Sequence, residues 1–361
     1  MTQLLPTRSD PGFDRRGFLM GGAAIGAGAM LTACGGKANK AAPRADLVAA
    51  TFPGTWNEAH REILAPAFER RTGSKVAQAI ILGTDQLSRL AASRGGQPPF
   101  DVAFLDAPQV GDAVAQGLIA EYPAARSPNF GDLRPEAQDR WGPRVSMQIV
   151  GIAYNPNRIK TPPRSWNDLW DPQYKGRVGL TALNSTLGIA FLAEINRLRG
   201  GTDSDFRPGF QALRELLPNV GAIGASLGAY STLWQQEEID IAPYNFNFVQ
   251  TLKAKETPVE LVIPDSGAIG WYTSIHLVAH AVEPDLAVRY IDTHLDPNVQ
   301  TAMMKPPYNV IPTNAKVPLS GPITRIAAGF ADLAKVRGFD WARINPQRGA
   351  LIDQFNRAVR L

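Results

Sequence analysis

The residues able to do chemistry in this chain are few and scattered, and their spacing limits what that chemistry can be. Gly224-Ala225-Ser226-Leu227-Gly228 fits the G-x-S-x-G pattern of a serine nucleophile, set between an expected strand and an expected helix, as a nucleophile elbow requires. Asp240 or Asp265, and then His276, His280 or His294, follow in the order a hydrolase triad can take. Yet a chain with 33 glycines produces such a pentapeptide readily, and no HGG-type oxyanion segment precedes it. Ser226 is therefore read as a helix N-cap facing a cleft, with a serine hydrolase as the alternative. The 4 histidines show no metal-ligand spacing beyond His276 and His280, four apart on an alternating strand pattern; such a pair shares a strand face and more often packs than ligates. No catalytic residue, metal or cofactor is expected.

Binding chemistry is better represented. Asp106 closes an expected strand, and Asn184-Ser185-Thr186 opens an apolar helix. The free N–H groups at such a helix start suit an anionic or polar ligand group, although Ser185 there can equally be a plain cap. Trp56, Tyr244, Trp271, Tyr272 and Tyr308 fall near strand ends or crossings, where an aromatic wall for a small ligand is plausible. Trp166 and Trp170, four apart, read as structural, as do Trp141 and Trp341.

These positions need a frame, and the hydrophobic rhythm supplies one. Strands at 47–51, 76–82 and 102–105 alternate with helices at 56–71, 85–92 and 108–117, which implies a parallel sheet covered on both faces. Ligand loops in such sheets lie at the strand C-termini. A long apolar strand at 147–154 then looks like a crossing into a fresh series: strands 178–181, 220–223, 239–242 and 259–263, with helices after 186, over 206–217 and over 226–236. An alternating strand at 273–279 reads as the return crossing, followed by helices at 284–294, 299–304 and through 320–361. With 361 residues, two lobes are expected. The hydrophobic share of 44% and charged share of 19% describe a folded globular chain, and a net charge of +4 without a dense Lys/Arg run excludes a nucleic-acid binder.

The N-terminus is the most specific text. Asp14-Arg15-Arg16-Gly17-Phe18-Leu19 resembles a twin-arginine export motif and leads into a Gly/Ala-rich apolar stretch. That stretch, about 14 residues, is too short to span a bilayer core of ~30 Å. It ends at Leu31-Thr32-Ala33-Cys34-Gly35, which looks like a lipobox with Cys34, the only cysteine, as the acylated residue. The chain is thus expected to carry a signal peptide at 1–33 and a lipidated Cys34 with a tether at 34–46. A protein so built sits in the periplasm or on the outer face of the cytoplasmic membrane, held by lipid. With one thiol, its fold rests on packing alone.

Taken together, these segments resemble the type II solute-binding proteins of ABC importers, and more narrowly the family of spermidine/putrescine-binding periplasmic proteins. The resemblance is carried by residues 51–76, by 101–118, by 151–179 with its SWNDLWDPQYKGRVGL, and by 238–243 (EIDIAP). Further matches at 259–271, 306–314 and 340–359 extend it through nearly the whole mature chain. It implies an α/β fold of two βα lobes joined by two crossing strands, closing like a flytrap on one small solute. It also implies a permease and its ATPase as partners, and a monomer. Lobe 1 is expected at 47–146 plus 273–305, lobe 2 at 147–272, and a C-terminal segment at 306–361 packing on both. The ligand-binding set is expected to be Trp56, Asp106, Ser185, Thr186, Ser226, Tyr244, Trp271, Thr273 and Tyr308. The polyamine-binder pattern P-x-E-G…W-x-D departs here: Ser266 and Thr273 stand where that pattern has Glu and Asp, while Trp271 is retained. Losing two carboxylates makes a plain polyamine less fitting, since a buried ammonium without them is costly, although Asp106 and Asp265 could substitute for them. The solute class is read as polyamine-like, amine-bearing or zwitterionic.

Overall fold

The computed structural model describes residues 45–359, so the expected leader, Cys34 and nearly all of the tether lie outside the described residues. Leu47–Thr51 (β1) is an apolar, almost wholly buried strand that breaks at Pro53-Gly54. The chain then enters Thr55–Ala59 (α1), a π-helical turn at His60–Leu64, and Ala65–Thr72 (α2), which stops at Gly73 in the left-handed conformation. Val76–Ile80 (β2), Gly83–Ala92 (α3), Val102–Asp106 (β3) and Ala107–Ala115 (α4) complete the first series. Both β2 and β3 pair with β1 in parallel, as strand-helix alternation requires.

Arg144–Tyr154 (β4) is buried along nearly its whole length and begins three residues before the apolar run suggested. The second series follows: Val178–Thr181 (β5), Thr186–Leu198 (α5), Arg207–Leu216 (α6), Val220–Gly224 (β6), Leu227–Gln235 (α7), Ile241–Asn245 (β7), Phe246–Ala254 (α8) and the short Glu260–Val262 (β8). Ile269–Leu277 (β9) returns to the first half, and Pro284–Leu295 (α9) and Pro297–Met304 (α10) pack behind it.

The strands form one sheet in the order β2-β1-β3-β9-β4-β7-β5-β6, with β8 on β4. At its centre β9 and β4 run antiparallel, and each is shared between the halves. β9 pairs with β3 from Thr273 to Leu277 and with β4 from Ile269 to Ser274, while β4 carries on to pair with β7 from Val150 to Tyr154. These are the two expected crossings. The return begins at Ile269, not 273, which places Trp271 inside the strand. Gly270 hid this extension from the alternating pattern. A Cβ there would lie 2.1 Å from the Gln148 carbonyl oxygen, so only glycine lets the strands approach.

Each half has its own core. Leu47, Phe68, Phe104, Tyr290 and Met303 anchor the first, and Trp166, Phe191, Phe210, Tyr230 and Trp234 the second. The C-terminal stretch is not the continuous helix its apolar content suggested. It is cut into Phe330–Leu333 (α11), Trp341–Ile344 (α12) and Arg348–Ala358 (α13), with Gly338 and Pro346 among the residues between them. It is fastened to the second half by Arg337, 3.0 Å from the fully buried Glu194, a carboxylate that Arg197 also meets at 2.8 Å. Ile344, Leu351 and Phe355 join the second core. Removing either guanidinium would strand part of a buried charge, which makes this dock specific as well as apolar.

Candidate functional site

Asp106 is the last residue of β3 and sits ahead of α4, with its side chain free of the usual capping duty. In register with it on β9 is Thr273, whose Oγ1 donates to Asp106 Oδ1 at 2.6 Å. Gln148 Nε2 on β4 reaches the same hydroxyl at 3.4 Å, extending the polar line across the crossing strands. The indole N–H of Trp271 is the next donor towards the carboxyl and favours its charged form, although it stops short of a full hydrogen bond. Burial outweighs these donors and lifts the Asp106 pKa to about 6. Among the described residues no cation pairs with this carboxylate within 4.0 Å. A half-buried carboxylate that is ionised at neutral pH without an ion-pair partner is a place where a solute cation gains most.

Sequence reasoning missed a second charged group at the same place. Arg348, the first residue of α13, is half-buried, and its Nη2 donates to the Asn184 carbonyl at 2.9 Å in the turn that opens α5. Its pKa is lowered by burial and partly restored by the fields of Asp112 and Asp106. Asn345, one helical turn earlier, donates from Nδ2 to the Pro108 carbonyl at 2.5 Å, so the C-terminal segment bridges the start of α4 and the start of α5. The signal was weak because Arg348 lies in a stretch that reads only as an amphipathic helix.

A cavity of about 450 Å³ opens beside this cluster, walled by Ala107 and Val110 of α4, Trp271 and Tyr272 of β9, and Phe339 and Trp341 of the C-terminal segment. Trp341, read from sequence as structural, is therefore a wall. On the other side of Gln148 a recess of about 10 Å³ is bounded by Trp56, Asn247 and Asn309, enough for roughly one water.

The remaining expected residues fall in three places. Ser185 caps α5, accepting from Gly188 N at 3.0 Å and donating to the Ala182 carbonyl at 2.9 Å, so its hydroxyl is engaged, while Thr186 begins the helix partly exposed. Ser226 caps α7, accepting from Ala229 N at 3.2 Å, and is exposed. Asn184 Nδ2 reaches the Ala225 carbonyl at 3.4 Å and joins these two helix starts. Tyr244 lies within the second core, fully buried, its hydroxyl 2.6 Å from Ser231 Oγ and its ring stacked on Trp234 and Phe248. Tyr308 donates to Glu62, which pushes its pKa up to about 12. Trp56 packs on Phe104 at 4.8 Å and shows only a margin to the recess. Ser266 is exposed on the turn before β9, its carbonyl taken by Arg337 at 2.5 Å. The cluster at the crossing thus gathers Asp106, Trp271 and Thr273, with Trp56 at its edge; it does not gather Tyr244 or Tyr308.

The histidines offer Ser226 no base. His276 is bonded to Ser274 at 2.7 Å and to the Trp141 carbonyl at 2.8 Å, His294 faces His60, and His280 lies exposed beyond β9 with φ 58. His276 and His280 therefore do not share a strand.

The model of the bacterial extracellular solute-binding proteins matches residues 97–327. The chain belongs to that family. Among its relatives is the spermidine/putrescine-binding periplasmic protein of Escherichia coli (strain K12), 23% identical over 259 residues, which are 68% of this chain and 72% of the relative. A putative 2-aminoethylphosphonate-binding periplasmic protein of Salmonella typhimurium is 28% identical over 177 residues, 49% of this chain and 50% of the relative. The fold is shared with an ABC transporter protein from Clostridium perfringens, at a TM-score of 0.72 and 22% identity over 87% of this chain and all of that one. This is a family of transport binding proteins rather than enzymes, and the hydrolase alternative falls with it. Among the described residues no helix is long and apolar enough to cross a membrane.

Proposed function

We propose that this protein captures a small amine-bearing solute where the two halves of its sheet meet, and hands it to the permease and ATPase of an ABC importer. The observation that carries the reading is Asp106, a half-buried carboxylate at a strand C-terminus with a hydroxyl and an indole around it and no ion-pair partner among the described residues. The names of the polyamine and aminophosphonate relatives support the class of solute, since both share an ammonium. In this reading the halves, 47–146 with 273–305 and 147–272, close on the solute about β4 and β9 as a monomer, and residues 306–361 travel with them. Export through the twin-arginine motif and acylation of Cys34 hold the protein outside the cytoplasmic membrane. The solute's cationic end lies on Asp106 and its carbon chain against Trp271.

Calorimetric titration of diamines, amino acids, aminophosphonates and organic acids tests this. One solute should bind per chain, and Trp271→Ala should weaken it by about 1–3 kcal/mol, an aromatic anchor's usual share. A panel in which only amine-free acids bind, or a Trp271→Ala variant of unchanged affinity, would remove the reading.

A further inference from the structure

We propose that Arg348 is the specificity-determining residue of this cleft and makes it a site for small zwitterions, with an ammonium on Asp106 and a carboxylate or phosphonate on Arg348, rather than for diamines. The inference rests on the capture reading above and adds the second end of the solute.

Three observations lead to it. Asn345, one turn before Arg348, is bonded to Pro108, two residues past Asp106, which brings the guanidinium to the carboxylate's end of α4, yet among the described residues the two form no ion pair within 4.0 Å. A guanidinium carries five N–H donors, and the one protein bond described for it is from Nη2 to the Asn184 carbonyl at 2.9 Å. Its approach is fixed, because the C-terminal segment is held at Asn345 by the Pro108 carbonyl and at Arg337 by Glu194. The cleft, lined by Ala107 next to Asp106 and by Asn345 one turn before Arg348, therefore has a half-buried anion and a half-buried cation at its border, each short of partners. A solute with one charge of each sign on a short chain meets both. A diamine would bring its second ammonium against the guanidinium, and a dicarboxylate its second carboxylate against Asp106; like charges in a poorly solvated site select strongly against both. Thr273, where the polyamine-binder pattern has an acid, agrees with this: the carboxylate that would have offset a second ammonium is a hydroxyl bonded to Asp106.

The test titrates wild type, Arg348→Gln and Arg348→Lys with 4-aminobutyrate, 2-aminoethylphosphonate and putrescine, each protein first checked by thermal melting. Wild type should prefer one of the two zwitterions to putrescine, and the better of them tells carboxylate from phosphonate. Arg348→Gln should weaken that zwitterion by about 10- to 100-fold, the worth of charge-assisted hydrogen bonds, and leave putrescine unchanged or tighter. Arg348→Lys should recover part of the loss. A purely structural role would weaken all three ligands alike, and that pattern overturns the proposal. Wild type binding putrescine best overturns it while leaving the capture reading standing. Wild type binding none of the three overturns the proposal, and the capture reading falls with it only if no amine-bearing solute of the wider panel binds either.

Discussion

Two sets of ionisable groups lie at neighbouring positions along β3, one packed against it and one at its end, and they behave in opposite ways. Beneath Phe104 lie His60 and His294, their Nε2 atoms 3.3 Å apart, boxed in by Trp56 and Phe104. Two residues on, Asp106 ends the strand at the meeting of the halves. The histidines are held neutral: burial, and for His60 the nearby His294, lowers both, His294 to about 4. Asp106 is raised only to about 6 and so carries its charge at neutral pH. Burial of a titratable group does not by itself mark a site. A pair that can fall back on its neutral form is core, whereas a group kept charged next to open space and short of partners is poised for a ligand.

The largest effect that tests this contrast is acid sensitivity. A histidine whose folded pKa is depressed contributes stability that is present above about pH 6.5 and lost as pH falls towards the folded value. His276, also near 4 through burial, adds to the loss from His60 and His294. With one pKa unit worth about 1.4 kcal/mol, the shifts of His276 and His294 each amount to about 3 kcal/mol, and His60 adds in the same direction. Urea unfolding at pH 7 and pH 4.5 should therefore differ by several kcal/mol. The double variant His60→Leu/His294→Leu should flatten the greater part of that slope. An unchanged slope would show that the pair is not held neutral and would erase the contrast.

Asp106→Asn comes next and moves stability the other way. Because its folded pKa is raised, Asp106 contributes fully below about pH 4, and that contribution is lost as pH rises through about 6. At pH 8 the Asn variant should be more stable than wild type by about 3 kcal/mol, with the difference vanishing by pH 4. Its solute affinity should fall at the same time by more than about tenfold, the usual cost of removing a charged partner from a buried ammonium. A variant that loses binding without gaining stability at high pH would mean that Asp106 is not strained by burial when the site is empty.

The sequence made much of the frame legible and less of this contrast. Strand-helix alternation is a local signal repeated along the chain, so both series and both crossings could be read. β9 was cut short because Gly270, needed for close approach to Gln148, breaks the apolar alternation. The C-terminal helix was overextended because amphipathic spacing does not reveal where Gly338 and Pro346 divide it. Asp106 was recognisable as a polar residue closing an apolar strand, and Trp271 by its kinship to the family pattern. Tyr244 looked equally suitable by position, but it lies in the second core with its hydroxyl on Ser231. Arg348 was not visible at all, since nothing local tells a helix-start arginine that faces solvent from one brought to a carboxylate more than two hundred residues away. The pairing of His60 with His294 was hidden for the same reason.

The smallest effect is the most discriminating, because it tunes Asp106 without removing it. Thr273 Oγ1 donates to the carboxyl at 2.6 Å and favours its ionised form, working against burial. Thr273→Val keeps the shape of the side chain and its strand preference, and the position is fully buried, so a methyl can take the space of the hydroxyl. The change removes a donor to a charged group, an interaction worth about 1.5–3 kcal/mol in favourable cases, and it also takes away the hydroxyl that Gln148 Nε2 meets at 3.4 Å. The Asp106 pKa should therefore rise above about 6, by about one unit or more. Solute affinity followed from pH 5 to pH 8 reports this directly: the pH at which binding reaches half its limiting strength should move upward, with the alkaline plateau little changed. His60 and His294 lie deeper along the strand and do not touch Thr273, so the acid slope of unfolding should stay where it was. If the binding profile stays fixed while the acid slope shifts, the two clusters are one coupled unit and the division drawn between them is wrong.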